Sequence, residues 1–236
     1  MKSHRRFRGA TRSAAIVLAL SLMASSHALA QARRDAPAAT PPAPAGAPNI
    51  TSTSTAKVEG FRSAKFGMDE AAVKAAIAKD FNVKGADVKE QPNAGERTKV
   101  LLIKAPDVLP GGGAAEISYV FGYQSKKLIQ VSVAWSKSTD DKMTPEQLFS
   151  NSSVLRAHFM GEGFKPDTVA SNMPINGGLL IFRGSDDKER TAMLILQGTL
   201  TPGENNQRIL TPASLLLFYV ADAKAPDVYR LPPGSF

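Results

Sequence analysis

The chain has 236 residues, 29 Lys and Arg against 21 Asp and Glu, a formal net charge of +8 and no cysteine. Without cysteine there can be no disulfide staples, thiolate metal ligands, cysteine nucleophile or lipid-attachment thiol, so stability has to come from a conventional apolar core. The positive charge is not a nucleic-acid signature. Lys2, Arg5, Arg6, Arg8 and Arg12 all fall in the first dozen residues, leaving 24 bases against 21 acids over the remainder, and a nucleic-acid reader needs a basic stripe on the domain itself.

Those first residues, "MKSHRRFRGATR", precede the short apolar run "SAAIVLALSLMASS" and the small-residue exit "HALA". A basic start, an apolar stretch and an A-x-A pattern make a secretory leader, with cleavage expected after Ala30. The apolar run is shorter than the ~20 residues a membrane-spanning helix needs, and once the leader is removed no transmembrane segment is expected. Arg5-Arg6 is a twin arginine, but its following residues fit the ordinary secretory route better. The chain is therefore expected in the periplasm or secreted. Residues 31–56 are rich in Ala, Pro, Ser and Thr and poor in large apolar side chains. Such a segment buries too little to offset its ordering entropy, and reads as a disordered spacer arm.

From residue 57 the chain becomes periodic. "FRSAKFGM" reads as one short strand ending in a turn at Gly67, and Asp69 then caps a helix running to about Asp80, with Met68 and Val73 at staple positions. Seventy-five positions later "KMTPEQL" has the same grammar as "GMDEAAV". Thr144 caps, Pro145 takes the first helical position and Gln147 completes a T-x-x-Q capping box. Leu148, Leu155 and Phe159 supply a buried stripe before Gly161 or Gly163 ends the helix. After each helix comes a short strand, a turn with Pro, Asn and Gly, and a strongly apolar strand. Two further strands follow in each case, "AAEISYVFGYQ" and "KLIQVSVAW", then "ERTAMLILQGT" and "SLLLFYVAD". The expected fold is α+β: two pseudo-repeats of one helix and about four antiparallel strands, spanning about 57–139 and 140–236, with the helices on one face of the sheet.

The turn Gly67-Met68-Asp69, set in a tandem helix-plus-antiparallel-strand pattern, resembles two families. One is that of the small lipoprotein of the outer-membrane β-barrel assembly machine, and the other that of the β-lactamase inhibitor proteins. The opening "GFRSAKFGM" is also similar to that of uncharacterised secreted proteins of α-proteobacteria. The resemblance implies an envelope compartment and binding rather than catalysis. The chain departs from the first family in lacking a lipidated cysteine and from the second in lacking disulfides.

Chemistry-bearing residues are few. His158 is the one histidine after the leader, at a helix end, and Ser152 and Ser153 face elsewhere on that helix, so no triad is expected. Asp140-Asp141 and Asp186-Asp187 lie in loops without calcium-loop spacing, and "LPGGG" at 109–113 leads into a strand, unlike a phosphate loop. Glu116 and Asp222 are strand-end carboxylates in different halves. No metal, no cofactor and no enzymatic activity are expected. What exceeds the needs of a half-buried sheet is the apolarity of 100–103, 179–182, 193–196 and 215–220. Two helices cover one sheet face, leaving the other to strand curvature, a terminal segment or a partner. Tyr119, Phe121 and Tyr123 alternate onto one face of a strand, and Ile129, Val131, Val133 and Trp135 onto one face of the next. Tyr119, Phe121, Tyr123 and Trp135 form the expected binding patch, with Lys126, Lys127 and Arg183 near strand ends fixing register. The expected partner is an envelope protein or a second copy, the alternative a lipid or other apolar small ligand held as by a carrier.

Overall fold

The computed structural model describes residues 54–203, 208–232 and 234–235. The expected leader 1–30, its expected cleavage site and the expected arm up to residue 53 lie outside the described residues. The fold is α+β, with two helices and a large antiparallel sheet. In chain order a two-residue hairpin, β1 (Gly60–Phe61) and β2 (Ala64–Lys65), leads into α1 (Glu70–Phe81). Four strands follow, β3 (Lys89–Asn93), β4 (Thr98–Ala105), β5 (Ala115–Phe121) and β6 (Leu128–Ser136). Then come α2 (Pro145–Gly161), β7 (Ala170–Ile175), β8 (Gly178–Ser185), β9 (Thr191–Pro202) and β10 (Arg208–Val220). The sheet order is β3-β4-β5-β6-β10-β9-β8-β7, so the first four strands and the last four meet at the β6–β10 pair. "FRSAKFGM" is thus a hairpin rather than one strand, because Arg62 takes a left-handed conformation that reverses the chain.

Both helices start as their sequences dictate. The Asp69 carboxylate accepts the Ala72 N–H (3.0 Å), and the Thr144 hydroxyl oxygen accepts the Gln147 N–H (3.2 Å). The reciprocal half of the second capping box is absent. Gln147 Nε2 instead donates to Asn151 Oδ1 (2.9 Å) and to the Gly111 carbonyl (3.3 Å). Asn151, buried within the helix stripe, donates to the Gly112 carbonyl (2.8 Å). The glycine-rich loop between β4 and β5 therefore seats α2, which explains why a polar residue sits where periodicity calls for an apolar one.

The strand register sorts the sheet into two faces. Leu101, Tyr119, Val131 and Tyr219 fall in one cross-strand row, and Ile103, Ile117, Val133, Leu217, Leu194 and Phe182 in the row two residues along. These side chains form one core with Val73, Ala76 and Ile77 of α1 and Leu148 and Phe159 of α2. Under α2 the core is aromatic: Phe159 stacks on Phe182 (5.3 Å between centroids) and meets Phe164 and Tyr219 edge-on. Gly184 makes room, since a Cβ there would strike the Phe164 and Phe182 rings.

Each edge strand carries a proline, Pro92 in β3 and Pro174 in β7. Proline offers no N–H to a further strand, one of the ways natural sheets blunt their edges. Residues 54–56, placed by composition in the disordered arm, are tied down. The Thr55 and Ala56 N–H groups both donate to the Gly163 carbonyl, and Ala56 joins the core.

Candidate functional site

The residues expected to form one patch fall in three places. Tyr119 (0 % exposed), Phe121 (2 %) and Trp135 (1 %) lie in the core on the helix-covered face. They are closed to a partner, which corrects the expectation that they line a binding surface. Alternation shows that such side chains share a face, and because the other face of the same two strands carries Glu116, Ser118, Gln130 and Ser132, the apolar face is the one the helices cover. Burial pushes the Tyr119 phenol well above its ordinary value. Neither its hydroxyl nor the Trp135 indole N–H has a hydrogen-bond partner among the described residues.

Tyr123, Lys126 and Lys127 sit in the exposed turn between β5 and β6, where Gly122 N–H donates to the Lys127 carbonyl and Lys126 is left-handed. Arg183 lies on the other sheet face and in the other half, level with Met193 of β9 and Ala170 of β7. Its Nε is buried without a partner.

The face opposite the helices carries the rows that alternate with the core. One runs Leu102, Ser118, Ser132, Phe218, Met193 and Arg183, the next Lys104, Glu116, Ala134, Leu216, Ile195 and Leu180. Its centre is apolar and dry, with Leu216 and Phe218 each 1 % exposed. It opens at Glu116, Ala134 and Arg183, which are half-buried, and at Met173, which is exposed on the β7 edge. Desolvation pushes the Glu116 carboxyl up, with Lys89 pulling against it. Gln130, 9 % exposed in the same face, has an amide nitrogen without a partner. Leu102, Leu180, Met193, Ile195, Leu216 and Phe218 all lie in the runs 100–103, 179–182, 193–196 and 215–220, whose continuity demands two dry faces, although the expected patch did not include them.

The other candidate groups hold turns. Asp140 accepts the Ala114 and Lys142 N–H groups, which hold its carboxyl below the ordinary range. Asp186, 2 % exposed, accepts from the N–H groups of Val58, Lys188 and Arg190 and from the Arg190 guanidinium. Asp222 caps Lys224 and Ala225. Ser152 and Ser153 both donate to the Phe149 carbonyl of their own helix, and His158 lies 3.5 Å from Glu162 on the exposed helix end. Among the described residues no group of three or more His, Cys, Asp or Glu is placed to hold a metal, and no helix is long and apolar enough to cross a membrane.

Comparison of the chain with protein-family models, with curated proteins and with solved structures finds no match in any of the three. The resemblances drawn from Gly67-Met68-Asp69 and from "GFRSAKFGM" have no counterpart there.

Proposed function

We propose that the chain is a non-catalytic binding protein of the bacterial envelope, built as two copies of a helix-plus-four-strand unit, that engages a protein partner through the sheet face opposite its helices. One observation carries the reading. Leu102, Phe218, Met193, Leu216, Ile195 and Leu180 form a contiguous apolar layer outside the helix-packed core, each 1–9 % exposed within the chain, and it comes to the surface at half-buried Ala134 and exposed Met173. Covering that apolar margin is worth roughly 25 cal/mol per Å², which favours association there. Half-buried Glu116 and Arg183 at its margins supply the polar rim that gives an interface its register. The likeness between the two helix entries, Gly67-Met68-Asp69 and Lys142-Met143-Thr144, and the strand order that meets at β6–β10 support the duplicated unit.

The test places a photo-crosslinking amino acid at Ala134 or at Met173, in cells expressing the full chain, with Lys79 on α1 as the control position. The reading expects the same protein adduct from Ala134 and Met173 and none from Lys79. If all three positions give the same background, the face is closed by the chain itself and the reading falls. If native mass spectrometry of the purified chain shows a co-purifying lipid in place of a protein adduct, the carrier alternative replaces it.

A further inference from the structure

A second surface is assembled at the end of the sheet where the β3–β4 and β5–β6 turns project. After β10 the chain crosses these two turns and is tied to both. The Asp227 carboxylate accepts the N–H groups of Gln124 (2.9 Å) and Ser125 (2.8 Å), its carbonyl accepts the Tyr123 N–H (2.8 Å), and the Tyr229 N–H donates to the Glu96 carbonyl (2.9 Å). Gly122 permits this approach, since a Cβ there would collide with the Asp227 carboxylate. Three segments far apart in sequence thereby bring cations and aromatic rings together. The Arg97 guanidinium carbon lies 3.6 Å from the Tyr229 ring centroid and 6.0 Å from that of Tyr123, and Lys126 Nζ is 5.2 Å from the Tyr123 ring. The two rings meet edge to face at 5.5 Å.

The charge at this end is unbalanced. Among the described residues no carboxylate lies within 4.0 Å of Arg97, Lys126 or Arg230, whereas Lys127 reaches Asp69 at 3.6 Å. Two carboxylates sit here as well, Asp227, held by main-chain N–H groups and drawn by Lys126, and Glu96, which receives the Asn93 amide (3.2 Å) and is drawn by Arg230, so Arg97, Lys126 and Arg230 outnumber them by one. A guanidinium laid on a ring is held in place while its N–H fork stays free for a phosphate or carboxylate.

We propose that this strapped turn end docks on an anionic lipid surface, with Arg97, Lys126 and Arg230 meeting headgroup phosphates and Tyr123 and Tyr229 lying at the headgroup level. Arg97 and Lys126 lie in exposed turns and Arg230 on the exposed segment that straps them, with Lys126 Nζ donating to the Tyr123 carbonyl, so the three cations share one end of the sheet. Tyrosine at the interface and several basic residues beside it are the combination that anionic bilayers attract. This surface is distinct from the helix-free sheet face and does not depend on its reading.

The test is co-sedimentation of the full chain with vesicles of phosphatidylglycerol and phosphatidylcholine, against vesicles of phosphatidylcholine alone. Wild type is run beside Arg97→Glu/Lys126→Glu, with Lys79→Glu as a reversal elsewhere. Expected is at least tenfold weaker binding to the anionic vesicles for the double variant, no change for Lys79→Glu, and loss of the difference in high salt. Arg97, Lys126 and Lys79 are exposed, so folding of the variants is checked by thermal melting. Equal binding by wild type and the double variant overturns the proposal. So does absence of vesicle binding together with retention on a polyglutamate matrix, which assigns the surface to an acidic polypeptide.

Discussion

The two halves of the sheet are closed at the same end by opposite devices. In the second half the fastening is internal and dry. Asp186 sits in the β8–β9 turn at 2 % exposure, holds the turn's own N–H groups and the Arg190 guanidinium, and reaches out to the Val58 N–H. In the first half the fastening is borrowed and wet, because Asp227 arrives from the segment after β10 to hold the β5–β6 turn. The helices differ in the same direction. α2 contributes Phe159 to the cluster of Phe164, Phe182 and Tyr219, whereas α1 buries the smaller Val73, Ala76 and Ile77, with Phe81 at its end stacked on Phe61. The second half is where removing one side chain leaves most behind, and the first is where a surface can be assembled and released cheaply.

The largest effect is expected from Phe159→Ala, which empties the centre of the aromatic cluster. A loss of about 4 kcal/mol in urea unfolding is expected, against less for Ile77→Ala under α1; equal losses would mean that the two helices are anchored alike. Next comes the pair of aspartates. Asp186→Ala strands the Arg190 charge and the Val58 N–H in the interior and is expected to cost about 3 kcal/mol. Asp227→Ala, at a wetter site, is expected to cost about 1 kcal/mol. Equal unfolding midpoints for the two would erase the distinction drawn between the halves.

The smallest effect is electrostatic. Lys74 and then Lys99 hold the Glu90 carboxyl down at about 2, and Lys165 and then Lys224 do the same for Glu189. A carboxyl lowered in the folded state contributes stability that is complete above its ordinary 4.5 and is lost as pH falls from there to about 2. Glu116 and Glu96, raised by desolvation, work in the other sense, their cost being relieved as pH falls through the raised values toward 4.5. Stability should therefore fall modestly between pH 4.5 and 2 and not above, with salt weakening the trend because both ion-pair networks are exposed. Urea midpoints at pH 6, 4.5 and 2.5 in low and high salt would show it.

What was legible in the sequence is what local chemistry decides. Asp69 and Thr144 announce their helices because a cap interacts with residues two or three positions away, and the apolar runs announce central strands. In β5 and β6, Ser118, Gln130 and Ser132 already mark Tyr119 and Trp135 as core. In β9 and β10 both faces are apolar and a period of two does not rank them, so the sheet face that the helices would take was not legible there. Nor was the meeting of Arg97 and Tyr123 with Tyr229, which the turn at Gly122 and the chain's return past β10 bring about across more than a hundred residues. Gln147 was misread for the same reason, since it reaches a loop from the other half.

Pro92 and Pro174 have a consequence for what happens when copies of this molecule are crowded together. A sheet that can be lengthened from its margins behaves as a seed, and growth then depends on concentration alone. With a proline in each outermost strand, neither margin is a good template, so lengthening of that kind ends at a single chain. What remains for contact between copies is side-chain surface, and a contact of that kind saturates at a defined stoichiometry and comes apart on dilution.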